Sequence, residues 1–277
     1  MTPDEYCQQK AAASGSSFYY SFLFLPPARR RAITALYAFC REVDDAVDES
    51  SDPHLAATKL AWWRFEIANL FAGNPQHPVT RGLAPALKAY GIGAEYLNEI
   101  IDGMEMDLTQ TRYLDWPGLE RYCFRVAGAV GLLAARIFGY TQERTLEYAK
   151  NLGIAFQLTN IIRDVGEDAR KNRIYLPMED LKRFAVPASD ILQARESAEF
   201  RQLMAFQADR ARQHYLLAMQ NLPAVDRRAQ RPGLIMAAIY RALLEEIERD
   251  GFQVLTRKTS LTPLRKFWIA WKTWITA

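Results

Sequence analysis

The stretch "ALYAFCREVDDAVDE", Ala35–Glu49, begins as an apolar run and ends crowded with carboxylates. Burying charge is costly unless the charge is paired or holds a metal. The spacing offers a way out. At about 100° per residue, Leu36, Cys40, Val43 and Val47 form one apolar stripe, with Tyr37, Arg41, Asp44 and Asp48 in a polar stripe beside it. A helix divided in this way turns one stripe to a core and the next to a cavity. A second stretch, "QLTNIIRDVGED", Gln157–Asp168, repeats the design. There Gln157, Asn160, Asp164 and Asp168 share the polar stripe, and Leu158, Ile161 and Val165 continue an apolar one from Ile154.

Two such helices suit opposite walls of one cavity, with carboxylates facing across it. Facing carboxylates repel unless a cation sits between them. Oxygen donors without histidine or cysteine select a hard ion, and Mg²⁺ is usually held by one or two carboxylates plus substrate phosphates. Arg41 and Arg163 lie inside the two motifs and Arg173 follows closely. Forked guanidinium donors match phosphate oxygens. The pattern predicts a magnesium-dependent diphosphate site. A lone acidic run is usually a solvated face; two matched runs, each with its arginine, argue against that here.

The rest of the chain reads as helix throughout. Helices are predicted from Pro26-Pro27 to Glu49, at 54–71, 78–90 and 93–111, from Pro117 to Phe138, and at 142–168, 189–221 and 231–250, with a short one after Pro177. Proline openings and glycine or proline stops set these bounds. Period-2 alternation is missing. The expected fold is all-α, one domain over 1–277 with a central cavity.

Composition excludes several classes. A net charge of +3 in 277 residues gives no footprint for nucleic acid. Cys7, Cys40 and Cys123 are odd in number and outside any metal spacing, which fits free, mostly buried thiols in a reducing cytoplasm. The start "MTPDEYCQQK" lacks a signal-peptide layout, and no apolar run approaches the ~18 residues of a membrane span. A cytoplasmic protein is expected. Gly91-x-Gly93 fails the dinucleotide fingerprint, since position 96 is Tyr.

Four blocks, "SSFYYSFLFLP", "ALYAFCREVDDAVDE", "YCFRVAGAVG" and "NLGIAFQLTNIIRDVGEDARKNRIYLP", span Ser16 to Pro177 in the order found in the squalene/phytoene synthase family of head-to-head prenyl transferases. The sequence resembles that family, most of all its bacterial members making presqualene diphosphate. The resemblance implies an isoprenoid-synthase helical fold and condensation of two farnesyl diphosphates to presqualene diphosphate, with two or three Mg²⁺ and no NADPH. A downstream reductase in the same pathway is the implied partner. It further implies metal binding by Asp44, Asp48, Asn160, Asp164 and Asp168, and diphosphate contacts by Arg41, Arg163, Arg173, Tyr175, Tyr240 and Arg257. Ser17, Phe18, Tyr37 and Gln157 are implied to line the substrate site. The catalytic set is then Asp44, Asp48, Asp164, Asp168, Arg41 and Tyr175. Relatives commonly carry tyrosine between the Cys and Val of the "YC..VAG" block, where this chain has Phe124 and Arg125. That leaves the proton-handling residue open, with Tyr122 and Tyr175 as substitutes. The alternatives are a dehydrosqualene or phytoene synthase, or a non-catalytic lipid-binding or assembly protein on the same fold.

Other features read more plainly. Val126–Gly131 is a run of small residues, suited either to close helix packing or to a close substrate. His54, His77 and His214 stand in polar settings and are expected at the surface. The tail at 264–277, "LRKFWIAWKTWITA", sets Trp268, Trp271 and Trp274 among Arg265, Lys266 and Lys272. It reads either as an interfacial amphipathic helix touching the inner face of a membrane or as a terminal helix packing its tryptophans inward.

Overall fold

The computed structural model describes residues 1–13, 21–22, 25–50 and 52–276. Ser17 and Phe18 therefore lie outside the described residues. The fold is a single all-α domain, as expected. Its helices are α1 (Pro3–Ala13), α2 (Pro27–Asp48), α3 (Pro53–Phe71), α4 (Pro78–Tyr90), α5 (Ala94–Thr109), α6 (Trp116–Cys123), α7 (Ala129–Phe138), α8 (Arg144–Arg170), α9 (Met178–Arg183), α10 (Ala188–Leu192), α11 (Ala198–Asn221), α12 (Arg231–Arg249) and α13 (Pro263–Thr276). The expected starts hold where a cap and a proline coincide. Asp52 accepts from the His54 amide ahead of α3, and Asp115 accepts from Gly118 N ahead of α6.

Three departures have local causes. Helix α1 was not expected, because it has no apolar stripe. It is held by a capping box in which Thr2 and Glu5 exchange backbone-to-side-chain hydrogen bonds of 2.8 and 3.2 Å. The helix predicted from Pro117 to Phe138 is interrupted by a π-helical turn at Phe124–Gly128, a bulge common beside functional sites. The helix predicted at 189–221 breaks in two, because Ala194 takes a left-handed conformation (φ 53°) and Ser197 recaps the chain by accepting from Phe200 N.

Packing divides the interior into two apolar clusters. One gathers α2 to α5 and α7, and the other gathers α8, α11 and α12 with the segment around Ile174–Leu176. Val126, in the π turn, packs against both. The two acidic stripes thus sit on helices from opposite clusters, α2 and α8, with a seam between them.

Two of the three histidines depart from their expected places. His214 is buried, its Nδ1 3.0 Å from Asn151 Oδ1 and its ring against Trp116. His77 is half-buried and caps α4, accepting from Val79 N at 3.2 Å. Both satisfy backbone or amide groups at helix contacts, which polar neighbours in sequence do not reveal. The three cysteines are free.

Candidate active site

A cavity of about 180 Å³ opens along the seam. Tyr37 and Cys40 of α2, Gln157 and Asn160 of α8, and Tyr240 of α12 line one end; the walls between are apolar. The polar stripes lie just beyond that end, one turn further along α2 and α8.

On α2, Arg41 reaches Asp44 Oδ2 and Asp45 Oδ1 at 2.6 Å each. Lys10 of α1 holds Asp45 from the other side at 2.8 Å and Glu42 at 3.1 Å. The first motif therefore splits by role: Asp45 and Glu42 tie α1 to α2, while Asp44 and Asp48 remain toward the seam. Burial, opposed by Arg41 and reinforced by Asp48, Asp45 and Asp107, pushes Asp44 up to about 6. On α8, Arg163 forks onto Asp164 at 2.8 and 2.5 Å. Burial and the charge of Asp164 push Asp168 up to about 7. Asp48 has cations 3.8 Å away on Lys171 and Arg173, which follow α8. The two motifs are thus brought together electrostatically.

Gly166 explains how a further cation arrives. A Cβ there would lie 2.3 Å from Leu255 O, so only glycine lets the chain after α12 cross α8 so closely. That crossing delivers Lys258 to Glu167 at 2.5 Å and to Asp164 at 3.4 Å. Arg257, the residue implied by resemblance to contact diphosphate, is exposed beside Lys258, and neither residue lines the larger cavity. Arg163, Tyr240, Lys258 and Lys266 also border a smaller cavity of about 70 Å³.

Asp107 was not singled out by the sequence. It is buried at the end of α5, where its carboxylate accepts from Tyr175 at 2.8 Å and Tyr122 at 3.0 Å. Tyr113, Tyr122 and Tyr175 pack ring on ring around it. Arg173 donates to the Asp107 carbonyl at 3.1 Å. The segment after α8 is pinned here by an isolated parallel bridge, Arg112 to Ile174, and by Met178 N donating to Tyr113 O at 2.8 Å. Burial pushes Asp107 up to about 6 against the pull of Tyr175 and Arg173. Tyr122 and Tyr175, the two substitutes, therefore share one acceptor.

The donor set fits a hard cation. It is oxygen-only, burial raises Asp44 and Asp168 to about 6 and 7, a direction that a bound cation would reverse, and Asn160 Oδ1 is buried without a hydrogen-bond partner. Among the described residues no three His, Cys, Asp or Glu side chains converge on one point. The protein therefore offers separate carboxylates rather than a closed cage, as Mg²⁺ sites completed by phosphate oxygens do.

The chain matches the family model described as squalene/phytoene synthase over residues 11–265. It is 35% identical to the phytoene synthase of Arthrospira platensis, covering 95% of this chain and 89% of that protein. It is also 35% identical to the 15-cis-phytoene synthase of a Synechocystis species, covering 96% and 84%. A crystal structure of a dehydrosqualene synthase superposes with a TM-score of 0.87 at 27% identity, over 98% of this chain and 95% of that one. The squalene synthase HpnC of Alicyclobacillus acidocaldarius gives 0.81 at 27%, over 90% and 94%. With both aspartate motifs flanking an apolar cavity in this helical frame, the chain belongs to the squalene/phytoene synthase family and is, at that level, a prenyl transferase.

Proposed function

We propose that the protein joins two farnesyl diphosphates head to head, forming presqualene diphosphate and releasing inorganic diphosphate. The observation that carries this reading is the cavity itself. An apolar channel leads away from a pole where two acidic stripes and several arginines meet. Bound Mg²⁺ would supply Lewis-acid charge to a diphosphate leaving group, held by Asp44, Asp48, Asn160, Asp164 and Asp168. Arg41, Arg163, Arg173 and Lys258 are placed to hold the released anion. The allylic cation left behind would be quenched by water, which the apolar walls disfavour. Tyr37, Phe156 and Tyr240 line the same cavity, and aromatic faces offset positive charge by about 0.5–2 kcal/mol each. The double bond of the second chain attacks the cation, and a cyclopropane closes as a proton passes to a base, for which the released diphosphate is the candidate.

The named relatives favour a second reading with the same first bond, condensation of two C20 diphosphates, since the curated proteins matched are phytoene synthases. A non-catalytic carrier has no reason to keep two arginine-paired aspartate stripes at a cavity mouth. In the proposed reaction the product leaves as the cyclopropyl diphosphate, without NADPH, and a separate reductase consumes it. Incubation with farnesyl diphosphate and Mg²⁺, with and without NADPH and in competition with the C20 diphosphate, followed by mass identification, tests this. Presqualene diphosphate in both cases is expected. Squalene with NADPH, dehydrosqualene without it, or phytoene from the C20 substrate in preference would overturn it.

Peripheral membrane contact is part of the proposal. No helix among the described residues is long and apolar enough to cross a membrane. Helix α13 is anchored by buried Ala270 and by Trp274, over whose ring Arg231 sits at 5.0 Å. Its outer face carries Leu264, Phe267, Trp268, Trp271 and Ile275, all exposed and aligned at helical spacing. Of the two readings of the tail, Trp274 fits docking, and Trp268 and Trp271 fit an interfacial anchor.

A further inference from the structure

Among the described residues, the cavity lining reaches down α8 to Tyr148, about three turns before Asn160 and the aspartates. Tyr148 of α8 is 1% exposed and lines the cavity there, with Phe138 and Gln230 beside it. Gln230 is held fixed, its Nε2 donating to Gly139 O at 2.9 Å and Ala135 O at 3.2 Å. Tyr148 reaches across to α12, where a Cβ on Gly233 would lie 2.6 Å from its hydroxyl. That hydroxyl is buried and has no hydrogen-bond partner. A buried hydroxyl without a partner lowers stability, and leucine or phenylalanine would pack without that cost. Core packing alone therefore does not account for a tyrosine braced against a glycine at this point.

Length does. Helix α8 rises about 1.5 Å per residue, so the twelve residues from Asn160 to Tyr148 set the channel at about 18 Å. An extended isoprene unit advances about 5 Å, at carbon–carbon bonds of ~1.5 Å. Three units need about 15 Å and fit above Tyr148; four need about 20 Å and meet it. Resting on the prenyl-diphosphate reading above, we infer that Tyr148, braced across Gly233, is the stop that sets substrate length at C15 and excludes C20. It is a specificity-determining residue and takes no part in the chemistry.

The test compares kcat/KM for farnesyl and geranylgeranyl diphosphate, with Mg²⁺, in the full-length wild type, Tyr148→Ala and Tyr148→Leu. The wild type should favour the C15 substrate by about tenfold or more, the scale on which a hydrophobic pocket resolves chain length. Both variants should shift the ratio toward C20 by about the same factor. Leucine conserves most of the packing, and a ratio within one protein is insensitive to partial loss of active enzyme. Gly233→Ala takes the space that the tyrosine tip occupies, since its methyl would lie 2.6 Å from the hydroxyl, so the tip must shift and the C15-to-C20 ratio should move from the wild-type value. A wild type that uses C20 as well as C15, or a ratio unmoved in the Tyr148 variants, overturns the stop while leaving the proposed reaction standing. If the wild type releases diphosphate from neither substrate, the proposed reaction itself fails and the stop falls with it.

Discussion

Gly153→Ala is a perturbation whose size can be worked from the coordinates. Gly153 sits in the middle of α8, where a Cβ would lie 2.3 Å from Ala127 O, 2.7 Å from Ala127 C and 2.9 Å from Gly128 Cα. Every one of these atoms is backbone in the π turn. Carbon–oxygen contacts ordinarily begin near 3.4 Å, so the two segments must separate by about 1 Å. Alanine in a helix interior gains about 1 kcal/mol over glycine. Overpacking a tight core costs about 1–3 kcal/mol, and here the obstacle is backbone that cannot rotate away. The net expectation is a loss of about 2 kcal/mol, or a melting temperature lower by roughly 4–8 °C for a chain this long. Because Ala127 and Gly153 both line the cavity, turnover should fall as well. Thermal unfolding followed by circular dichroism gives the answer. A variant that melts at or above the wild type would show that the α8 crossing tolerates a methyl, and that the small-residue run is not a packing requirement.

Three other outcomes are expected. Asp107→Asn should melt no lower than wild type near pH 7. Its carboxyl is pushed up to about 6, so the ionised form opposes folding by roughly 3 kcal/mol once pH rises from 4 past 6. Turnover should nevertheless drop about tenfold or more, as Tyr122 and Tyr175 lose a shared acceptor; normal turnover would remove Asp107 from the site. His214 has the opposite slope. Burial, with Arg210 and Lys150 nearby, pulls it down to about 4, so the unfolded chain takes up its proton first and stability falls by roughly 3 kcal/mol as pH drops from 6.5 to 4. In denaturant melts His214→Gln should flatten that decline, and an unchanged slope would contradict it. Finally, Trp268→Ser/Trp271→Ser should weaken binding to anionic vesicles with little change in detergent-solubilised turnover. Truncating the whole tail is a poorer test, since removing Ala270 and Trp274 uncovers α12. Undiminished vesicle binding would assign the outer stripe another role.

The helical frame was legible because proline, glycine and capping residues mark most ends, and both aspartate stripes could be read from their spacing alone. What escaped depends on approach between distant segments. Asp107 lies on the buried stripe of α5 with Ile100 and Met104, and an acid at that spacing was a readable signal. Its tyrosine partners come from α6 and from the segment after α8, which no local pattern brings together. Lys258, which the sequence did not single out, reaches Asp164 and Glu167 because the chain after α12 crosses α8 at Gly166. The break before Ser197 was missed because an alanine, Ala194, adopts a conformation that sequence assigns to glycine.

The most direct test of the central claim is the rate of diphosphate release from farnesyl diphosphate by wild type, Asp44→Asn and Asp164→Asn at saturating Mg²⁺. Each substitution keeps the shape of its side chain and removes one oxygen anion from a stripe at the cavity mouth. Arg41 and Arg163 are then left with weaker partners, at sites where they now make contacts of 2.6 and 2.5 Å. If these two carboxylates hold the metal that draws charge from the leaving group, each variant should be slower by at least ~10² while keeping its helical spectrum and melting temperature within a few degrees. Near-normal release by either variant would contradict the account, because the facing stripes would then be structural and the cavity would need another explanation.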